Sequence, residues 1–598
     1  MPHYKAPLED FQFLYNEFLD LSECADLPSM ADATPDIMEA VLVEAAKLSE
    51  TVLQPLNAVG DEIGCKLDEA DNSVAMPKGF GDAYRLYCDG GWSGLVADPN
   101  FGGQGLPTFL GLAVSEMINA ANASFAAYPG LTIGAYEVIH HHGSDEQKQR
   151  FLPKMVSGEW GGTMNLTEPQ CGTDLGLIRT RADKQGDGSY RITGTKIWIS
   201  AGEHDMVDNI VHLVLARTPE APAGTKGISL FIVPKFMVDE QGEPGERNGV
   251  KCTGLEKKMG VKASATCEMQ YEGAVGYLIG EENRGLSYMF TMMNAARLVT
   301  GIQGLGMASA AYQAAVVFAR ERLQGRSLAG AKYPDKPADP ILVHPDVRRM
   351  LLQSRAFVEG ARALGLHTGV QLELEQNHAD EAVRRRAGNW VALMTPIIKA
   401  YFTDGGSEVA NLGMQVHGGA GYVSDTGVEQ FVRDVRITQI YEGTNGVQAL
   451  DLVGRKLTAN SGDYLKAFFE PVQALINEHK ANQSVADYIE PLDKAQLLLQ
   501  ETTGWVYQHM SKNPLEAGAA SSDYLRLFAL TAMAYIWARQ AVIASEKLKA
   551  GSGRAGFYQA KLDTARFFMT RILPETTSLA EKIRAGVGPI MDPLDEEF

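Results

Sequence analysis

The spacing of apolar residues changes twice along this chain, and that change limits the fold more than any other feature of the sequence. From Ile37 to about Trp160, apolar residues recur mostly at helical spacing. Between about residues 161 and 283 they form short β-branched or alternating runs, such as "YRITGTKIWISAG" and "GISLFIVPKF", which Gly, Asp and Pro turns separate. Helical spacing returns near Gly285 and continues to the C-terminus. The sequence therefore predicts an α+β protein in which a β domain follows one helical region and precedes another.

Several segments are expected, because 598 residues exceed what a single hydrophobic core usually holds. They are an N-terminal extension (1–36), an N-terminal helical domain (37–160), a middle β domain (161–283), a C-terminal helical bundle (284–460) and an additional C-terminal helical domain (461–598). The apolar run "LVTGIQGLGMASAAYQAAVVFA" contains two glutamines, and charged helix-like sequence follows it. It therefore predicts a buried helix rather than a membrane span.

Composition argues against several functions. The formal net charge of −20 disfavours nucleic-acid binding as the main task. The six cysteines form neither a CxxC pair nor a zinc-like spacing, so no metal site is predicted. The start "MPHYKAPLEDFQFLYNEF" is unlike a signal peptide, and a cytoplasmic protein without an integral membrane segment is expected. Three histidines at 140–142 predict a helix end near Gly143 rather than a metal cluster, because consecutive helical residues point in different directions.

Residues 163–174, "TMNLTEPQCGTD", form a polar segment just before the predicted strands. Thr167, Gly172 and Thr173 offer hydroxyls and backbone amides at close approach, which suit a heteroaromatic edge or a phosphate group. A plain turn that leads into the β domain is an equally good interpretation. Trp198 follows in the strand-like segment "KIWIS", where packing in a core is the commoner role of a tryptophan.

A glycine-rich turn, "QVHGGAGY" (415–422), follows a predicted helix. It lacks the strand–GxGxxG–helix context of a Rossmann unit, so it does not indicate NAD. Its glycines would still allow a dinucleotide pyrophosphate to approach the backbone.

The segment "ITQIYEGTNGVQ" (437–448) places one carboxylate, Glu442, after an apolar strip and directly before Gly443. A buried carboxylate is costly unless it is paired or functional. Three interpretations follow: a solvated loop acid, half of an ion pair with Arg433 or Arg436, or a base directed at a substrate. The glycine favours close approach of another group to the backbone.

Taken together, the motifs "LTEPQCGTD", "KIWIS", "LEKKMGVKAS", "QVHGGAGY" and "IYEGTNGVQ" resemble those of the acyl-CoA dehydrogenase family, over about residues 40 to 455. The length, the "YKAPLEDFQFLYNEF"-like start and the added helical domain are similar to a long branch of that family. This branch includes 3-methylmercaptopropionyl-CoA dehydrogenases and fatty acyl-CoA dehydrogenases of broad or long chain length. The resemblance implies an N-terminal helical domain, a middle β-barrel-like domain, a C-terminal four-helix bundle and an extra C-terminal helical domain.

The resemblance also implies a reaction: FAD-dependent oxidation of an acyl-CoA thioester to the trans-2-enoyl-CoA. Glu442 would take the α-proton while a hydride leaves the β-carbon for flavin N5, and electrons would pass to an electron-transfer flavoprotein. Some relatives carry the base on a helix directly before an arginine. The residue before Arg297 is Ala296, which favours Glu442. An acyl-CoA oxidase that uses O2 and a non-catalytic helical binding protein are the alternatives.

The site residues are carried over from the family position by position. For FAD they are Met164, Leu166, Thr167, Gly172, Thr173, Trp198, Ile199, Ser200, Arg322, Gln324, Gln415, Gly418, Gly419, Thr444, Asn445 and Gly446. For the substrate they are Thr173, Asn294, Arg297, Tyr441 and Gly443.

The resemblance is incomplete at one FAD residue and extends to the assembly. The family pattern R-x-Q-F-G that grips the FAD pyrophosphate lacks its Phe in "ERLQGRSLAG", which leaves Arg326 as an alternative to Arg322. The alternative interpretation of either arginine is a solvated cation at a helix end without a functional role. In the family this arginine and the glycine-rich turn come from a neighbouring subunit, and a homodimer is expected.

Overall fold

The computed structural model describes residues 3–239 and 242–598, and the chain divides into two compact units. One unit comprises the chain up to Val43, Pro107–Glu116 and Thr300–Phe598. The other comprises Glu44–Leu106 and Met117–Val299.

The region before the sheet is mainly helical, as its apolar spacing predicts. Its elements are α1 (Leu8–Phe13), α2 (Pro35–Leu48), α3 (Gln54–Ile63), the hairpin β1 (Lys66–Asp68) and β2 (Ser73–Ala75), α4 (Phe80–Asp89), α5 (Thr108–Ala121), α6 (Ala123–His142) and α7 (Asp145–Ser157). Ser144 and Gln147 form a reciprocal capping box at the start of α7. The helix α6 ends at the three histidines, whose rings contact different partners, Asp98, Glu137 and Thr291.

The β domain contains a seven-stranded sheet with the order β3-β6-β7-β11-β5-β4, in which β10 also pairs with β11. The strands are β3 (Trp160–Asn165), β4 (Arg181–Lys184), β5 (Tyr190–Ser200), β6 (Asn209–Ala216), β7 (Ser229–Pro234), the hairpin β8 (Phe236–Val238) and β9 (Pro244–Arg247), β10 (Val250–Leu255) and β11 (Thr266–Leu278). β3 and β6 are parallel, and the other pairs of the sheet are antiparallel. Every residue of β6 is buried, because β6 is covered on both faces.

Helices return after the sheet. They are α8 (Gly285–Glu321), α9 (Pro345–Asn377), α10 (Glu381–His417), α11 (Gly419–Tyr422), α12 (Glu429–Arg436) and α13 (Asn445–Asp451). The backbones of α8 and α10 approach closely at Gly301 and Gly304. A Cβ atom would lie 2.7 Å from Ile398 at the first position and 2.9 Å from the Phe402 carbonyl at the second. This packing fixes the middle turns of α10, which carry the contacts of the candidate site described below.

The last helices are α14 (Asp463–His479), α15 (Ala486–Met510), α16 (Leu515–Lys549), α17 (Ala555–Phe567), α18 (Glu575–Arg584) and α19 (Gly588–Met591). They contact the N-terminal extension through a buried ionic cluster, to which α5 and α9 also contribute. Arg362 binds both Asp10 and Glu116, and Lys561 binds Asp10 and Glu359. The cluster thus joins α1, α5, α9 and α17.

Among the described residues, two helices, α8 and α16, are long and apolar enough to cross a membrane by length and composition. The most apolar windows of these helices are 72% and 89% buried within the protein, respectively. Core helices of a folded domain pass the same test, so this is weak support for a membrane span.

Candidate functional site

The loop after β3 is organised by the buried carboxylate of Glu168. Its oxygens accept hydrogen bonds from the backbone N–H of Arg179 at 2.6 Å and of Thr180 at 3.0 Å. The Thr180 hydroxyl and the Gln170 side-chain amide also donate to it, both at 2.6 Å. One side chain therefore ties the "TEPQ" turn to the segment that enters β4.

Lys196 on β5 completes this arrangement from the neighbouring strand. Its ammonium group, which is fully buried, donates to Glu168 Oε1 at 2.8 Å and to the Leu166 carbonyl at 3.0 Å. Burial alone would raise the pKa of Glu168, but the Lys196 charge and the hydrogen bonds lower it from 4.5 to about 2. Burial lowers the pKa of Lys196, and the Glu168 charge opposes that effect. The donor set around the carboxylate matches its ionised form.

Trp198 does not pack in the core, so the interpretation of this residue as a core tryptophan is wrong. Its side chain is 60% exposed, and its φ is +59°, in the left-handed region. β5 carries a bulge between Lys196 and Ile199, where two of its residues oppose one residue of β11. A bulge re-aims side chains, and a left-handed non-glycine residue costs about 1–2 kcal/mol. Such strain is typical of functional sites.

The loop and the strand that carries Trp198 lie side by side. Ile197 N–H donates to the Thr167 carbonyl at 3.0 Å, and the Thr163 hydroxyl donates to the Ser200 carbonyl at 2.6 Å. The predicted residues differ in exposure: Met164, Leu166, Thr167 and Ser200 are half-buried, Gly172 and Thr173 are exposed, and Ile199 is buried. The structure thus brings together, within the β domain, the first two segments that the family resemblance assigned to FAD.

The predicted substrate residues on α8 are adjacent on that helix. Asn294 is exposed and Arg297 is half-buried, and the Arg297 guanidinium donates to Asn294 Oδ1 at 3.3 Å. An i,i+3 pair of this kind lies on one face of the helix.

In the other unit, Arg322 and Arg326 differ sharply in their surroundings. Arg322 directly follows α8, is exposed, and contacts Gln324 Oε1 at 3.4 Å. Arg326 donates to the Tyr333 carbonyl at 3.0 Å and the Lys336 carbonyl at 2.7 Å, and it pairs with the buried Asp339. The guanidinium of Arg326 is therefore used to hold together the proline-rich loop that follows it, residues 329–340.

The glycine-rich turn lies at the end of α10. Gln415, Gly418 and Gly419 are exposed, and Gly418 has a φ of +59°. A Cβ atom on Gly418 or Gly419 would meet nothing within 4 Å. The turn therefore presents open backbone, and the positive φ rather than crowding explains Gly418.

The Glu442 loop lies between α12 and α13 and contains two successive left-handed residues. The φ angles are +55° at Glu442 and +80° at Gly443. A Cβ atom on Gly443 would also lie 2.6 Å from the Gln448 amide, so both its positive φ and this side chain favour glycine there. Thr444 then caps α13, since its hydroxyl accepts from the N–H of Val447.

Tyr441 precedes the carboxylate and is fixed by a hydrogen bond from its hydroxyl to Gln303 Oε1. Burial raises the pKa of Tyr441, and the negative charge of Glu442 raises it further. The Glu442 carboxylate is therefore close enough to act on the phenol. Arg433, one of the two candidate ion-pair partners of Glu442, pairs with Glu429 at 2.6 Å.

Sequence reasoning missed a residue that holds this loop from outside, Lys399 of α10. It is completely buried, and its ammonium group donates to the Gly443 carbonyl at 2.7 Å and to Asn445 Oδ1 at 2.8 Å. The Asn445 amide nitrogen donates to Thr403 and Asp404, so this side chain is used within the protein. A flavin contact by Asn445 would thus come from its backbone.

Each unit carries residues whose chemistry suits a part of a flavin dinucleotide. An exposed indole beside a hydroxyl-bearing loop suits a planar heteroaromatic ring. An exposed guanidinium and an open glycine backbone suit a pyrophosphate. The Glu442 loop supplies a carboxylate next to a backbone that the fold holds in a strained conformation.

Comparison with protein families covers almost the whole chain. Models of the acyl-CoA dehydrogenase N-terminal, middle and C-terminal domains match residues 57–159, 163–274 and 283–457, respectively. A fourth model, described as acetyl-CoA dehydrogenase C-terminal like, matches residues 457–593.

Individual relatives agree with these matches. The 3-methylmercaptopropionyl-CoA dehydrogenase of Ruegeria pomeroyi is 41% identical over 97% of this chain and 98% of its own length. The broad-specificity linear acyl-CoA dehydrogenase FadE5 of Mycobacterium tuberculosis is 33% identical over all of both chains. Among solved structures, Caenorhabditis elegans ACDH-11 has the same fold, with a TM-score of 0.77 over 99% of this chain and 96% of its own at 19% identity. The chain therefore belongs to the acyl-CoA dehydrogenase family, whose members are FAD-dependent oxidoreductases.

Proposed function

We propose that Glu442 is the general base of this acyl-CoA dehydrogenase and that the acyl group is 3-methylmercaptopropionyl or a fatty acyl chain of medium or long length. The observation that carries the base is the conformation of the Glu442 loop. A carboxylate that follows an apolar strip is held at a φ of +55°, next to a glycine whose own φ is +80°. Backbone strain persists where surrounding contacts enforce it, and functional sites are where it concentrates.

The chemistry asked of the chain is removal of a proton from the carbon next to a thioester. That proton is weakly acidic in water, so the reaction needs a positioned base and donors for the developing enolate oxygen. In this proposal Glu442 takes the proton and its own backbone N–H donates to the thioester oxygen. Gly443 leaves room beside them, and Tyr441 lines the site. FAD, when bound, supplies the acceptor for the hydride from the β-carbon.

FAD is proposed to bind through the residues carried over from the family. The flavin would lie on the Met164–Thr173 loop and Trp198–Ser200. Arg322 with Gln324, and Gln415 with Gly418 and Gly419, would hold the pyrophosphate and adenine half, and Thr444, Asn445 and Gly446 would also contact the cofactor. Support comes from the exposed indole of Trp198 and from the contrast between the exposed Arg322 and the engaged Arg326. Thr173, Asn294 and Arg297 are assigned to the CoA substrate.

The proposed partners follow from the family as well. An electron-transfer flavoprotein is proposed to reoxidise the enzyme, and the protein is proposed to be a cytoplasmic homodimer in which Arg322 and the glycine-rich turn serve the neighbouring subunit's FAD. Light scattering on the FAD-loaded protein tests the assembly. A monomer that retains its flavin would contradict the shared site.

The substrate is tested by steady-state rates with an artificial electron acceptor and four thioesters: butyryl-, octanoyl-, palmitoyl- and 3-methylmercaptopropionyl-CoA. The 41% identity to a full-length 3-methylmercaptopropionyl-CoA dehydrogenase makes that thioester the first candidate, with the highest expected kcat/KM. A higher kcat/KM with octanoyl- or palmitoyl-CoA would select the fatty acyl alternative. A higher value with butyryl-CoA would contradict both acyl groups. Flavin that none of the four thioesters reduces would contradict Glu442 as a base for these acyl groups.

A further inference from the structure

Lys399 is a buried cation in an apolar part of α10, in the stretch "LMTPIIKAYFTD". Removing an ammonium group from water costs several kcal/mol unless the protein supplies well-placed acceptors. Here the acceptors include the Gly443 carbonyl at 2.7 Å and Asn445 Oδ1 at 2.8 Å. Gly443 belongs to the loop that carries Glu442, and Asn445 begins α13 directly after that loop, so the desolvated charge is used to hold the loop and its exit.

Asn445 extends this contact to the next turn of α10. Its amide nitrogen donates to the Thr403 hydroxyl at 2.9 Å and to Asp404 Oδ1 at 2.7 Å. Gln439, on the other side of Glu442, also donates to Asp404 Oδ1, at 2.6 Å. The loop is therefore tied to α10 both before and after the carboxylate.

The two peptide groups that follow Glu442 are both held by side chains, and the Gln448 amide lies within 3.4 Å of both carbonyls. The Gln448 side-chain amide lies 3.3 Å from the Glu442 carbonyl, and Lys399 binds the next carbonyl, that of Gly443. The left-handed conformation of Glu442 is unfavourable for a residue with a Cβ atom by about 1–2 kcal/mol. A strong charge-assisted hydrogen bond to the adjacent peptide is the kind of contact that keeps such a conformation in place.

We propose that Lys399 is a positioning residue for the reaction: its ammonium group holds Gly443 and Asn445, and thereby fixes the direction of the Glu442 carboxylate and backbone N–H. This inference rests on the proposed role of Glu442 as the base. A displacement of about 1 Å in a reacting group lowers rates by about 10²-fold. Loss of the ammonium group should therefore slow proton abstraction far more than it weakens substrate binding.

The test compares Lys399→Met with Lys561→Met. Methionine keeps much of the length of lysine and removes the charge and its hydrogen bonds. Lys561 is the matched control, because it is also fully buried in the same unit but binds Asp10 and Glu359 instead of the loop. Both variants should lower the melting temperature. Only Lys399→Met should slow flavin reduction at saturating acyl-CoA, by about 10²-fold, with acyl-CoA affinity nearly unchanged.

A second measurement does not depend on activity. Hydrogen exchange of the peptide that spans residues 439–451, measured on the FAD-free protein, should be faster in Lys399→Met and unchanged in Lys561→Met. If Lys399→Met does not fold, Asn445→Ala removes one end of the same contact and should show the same pattern more weakly. Unchanged exchange, or equal loss of rate in both lysine variants, would overturn the proposal. Normal flavin reduction in Glu442→Gln would instead show that Glu442 is not the base. The hydrogen-exchange result would still report whether Lys399 holds the loop.

Discussion

The Lys196 ammonium group lies 2.8 Å from the Glu168 carboxylate inside the β domain, where Lys196 is fully buried and Glu168 is 4% exposed. This pair connects β5 to the loop that precedes β4, and Lys196 also holds the Leu166 carbonyl in the same loop. Trp198 lies two residues beyond Lys196 on the same strand. The ion pair thus sets the relative positions of both elements assigned to the flavin.

The first prediction concerns acid sensitivity. Glu168 has a pKa of about 2 in the folded protein and about 4.5 when unfolded, which corresponds to about 3 kcal/mol of stability. Because the folded pKa is the lower one, this contribution is complete above about pH 5 and is lost as the pH falls towards 2. The FAD-free protein should therefore lose melting temperature as the pH falls from about 5.5 to 4, and Glu168→Gln should lose less over that interval.

The control for this prediction is Glu272→Gln. Glu272 pairs with Lys251 at 3.0 Å on the surface, where ion pairs contribute little. Its removal should leave the pH dependence of the melting temperature as in the original protein. Equal pH dependence in Glu168→Gln and the original protein would show that the Glu168–Lys196 pair does not contribute to stability over this pH range.

The second prediction concerns the strained indole. Asparagine tolerates the left-handed region far better than tryptophan, and Trp198 is 60% exposed. Trp198→Asn should therefore leave the melting temperature of the FAD-free protein unchanged or raise it, while FAD affinity falls. Trp198→Phe keeps both the strain and an aromatic face and should lie between the two in affinity. Calorimetric titration with FAD is the measurement, and an asparagine variant that binds FAD as tightly as the original protein would refute a flavin role for Trp198.

The third prediction separates the two arginines. Arg322→Gln should weaken FAD retention and leave the melting temperature of the FAD-free protein nearly unchanged, because its guanidinium is exposed. Arg326→Gln should do the reverse, because it removes the partner of the buried Asp339 and two hydrogen bonds to loop carbonyls. FAD loss on gel filtration and melting curves together decide the assignment, and the opposite pattern would place the pyrophosphate at Arg326.

Some of these features could be predicted from the sequence because they depend on local pattern. The helix–β–helix order follows from the apolar spacing, and α6 ends at His142, next to the predicted helix end near Gly143. The family itself followed from motifs whose residues are close in sequence. Each of these signals lies within a few residues of the chain.

Other features could not be predicted because they join distant residues. Lys399 lies 44 residues from Gly443, within an apolar helix that has no motif, and a buried lysine there carries no sequence signal. The exposure of Trp198 depends on a bulge opposite β11, and the pattern alone favoured core packing. The choice between Arg322 and Arg326 depends on which of them the buried Asp339 engages. In each case the missing information is which residues fold against the motif.

The last prediction concerns Glu442 itself. Glu442→Gln keeps the shape of the side chain and removes its basicity, so the variant should fold, bind FAD and bind acyl-CoA. The rate of flavin reduction should fall by about 10²- to 10⁴-fold or more, since 10²- to 10⁴-fold is the usual cost of losing a general base. The upper end is expected because Ala296 stands where some relatives carry an alternative base. Bleaching of the oxidised flavin by substrate in a stopped-flow experiment measures the effect directly.

Two arginine variants test the ion-pair interpretation of Glu442 at the same time. Arg433→Gln releases Glu429, its partner at 2.6 Å, and Arg436→Gln removes an exposed cation. If Glu442 served only as half of an ion pair, one of these changes would reproduce the melting temperature of Glu442→Gln, and flavin bleaching would stay fast in all three. If Glu442 is the base, bleaching slows only in Glu442→Gln while acyl-CoA still binds, because the backbone N–H at position 442 is retained. Near-normal bleaching in Glu442→Gln would place the base elsewhere.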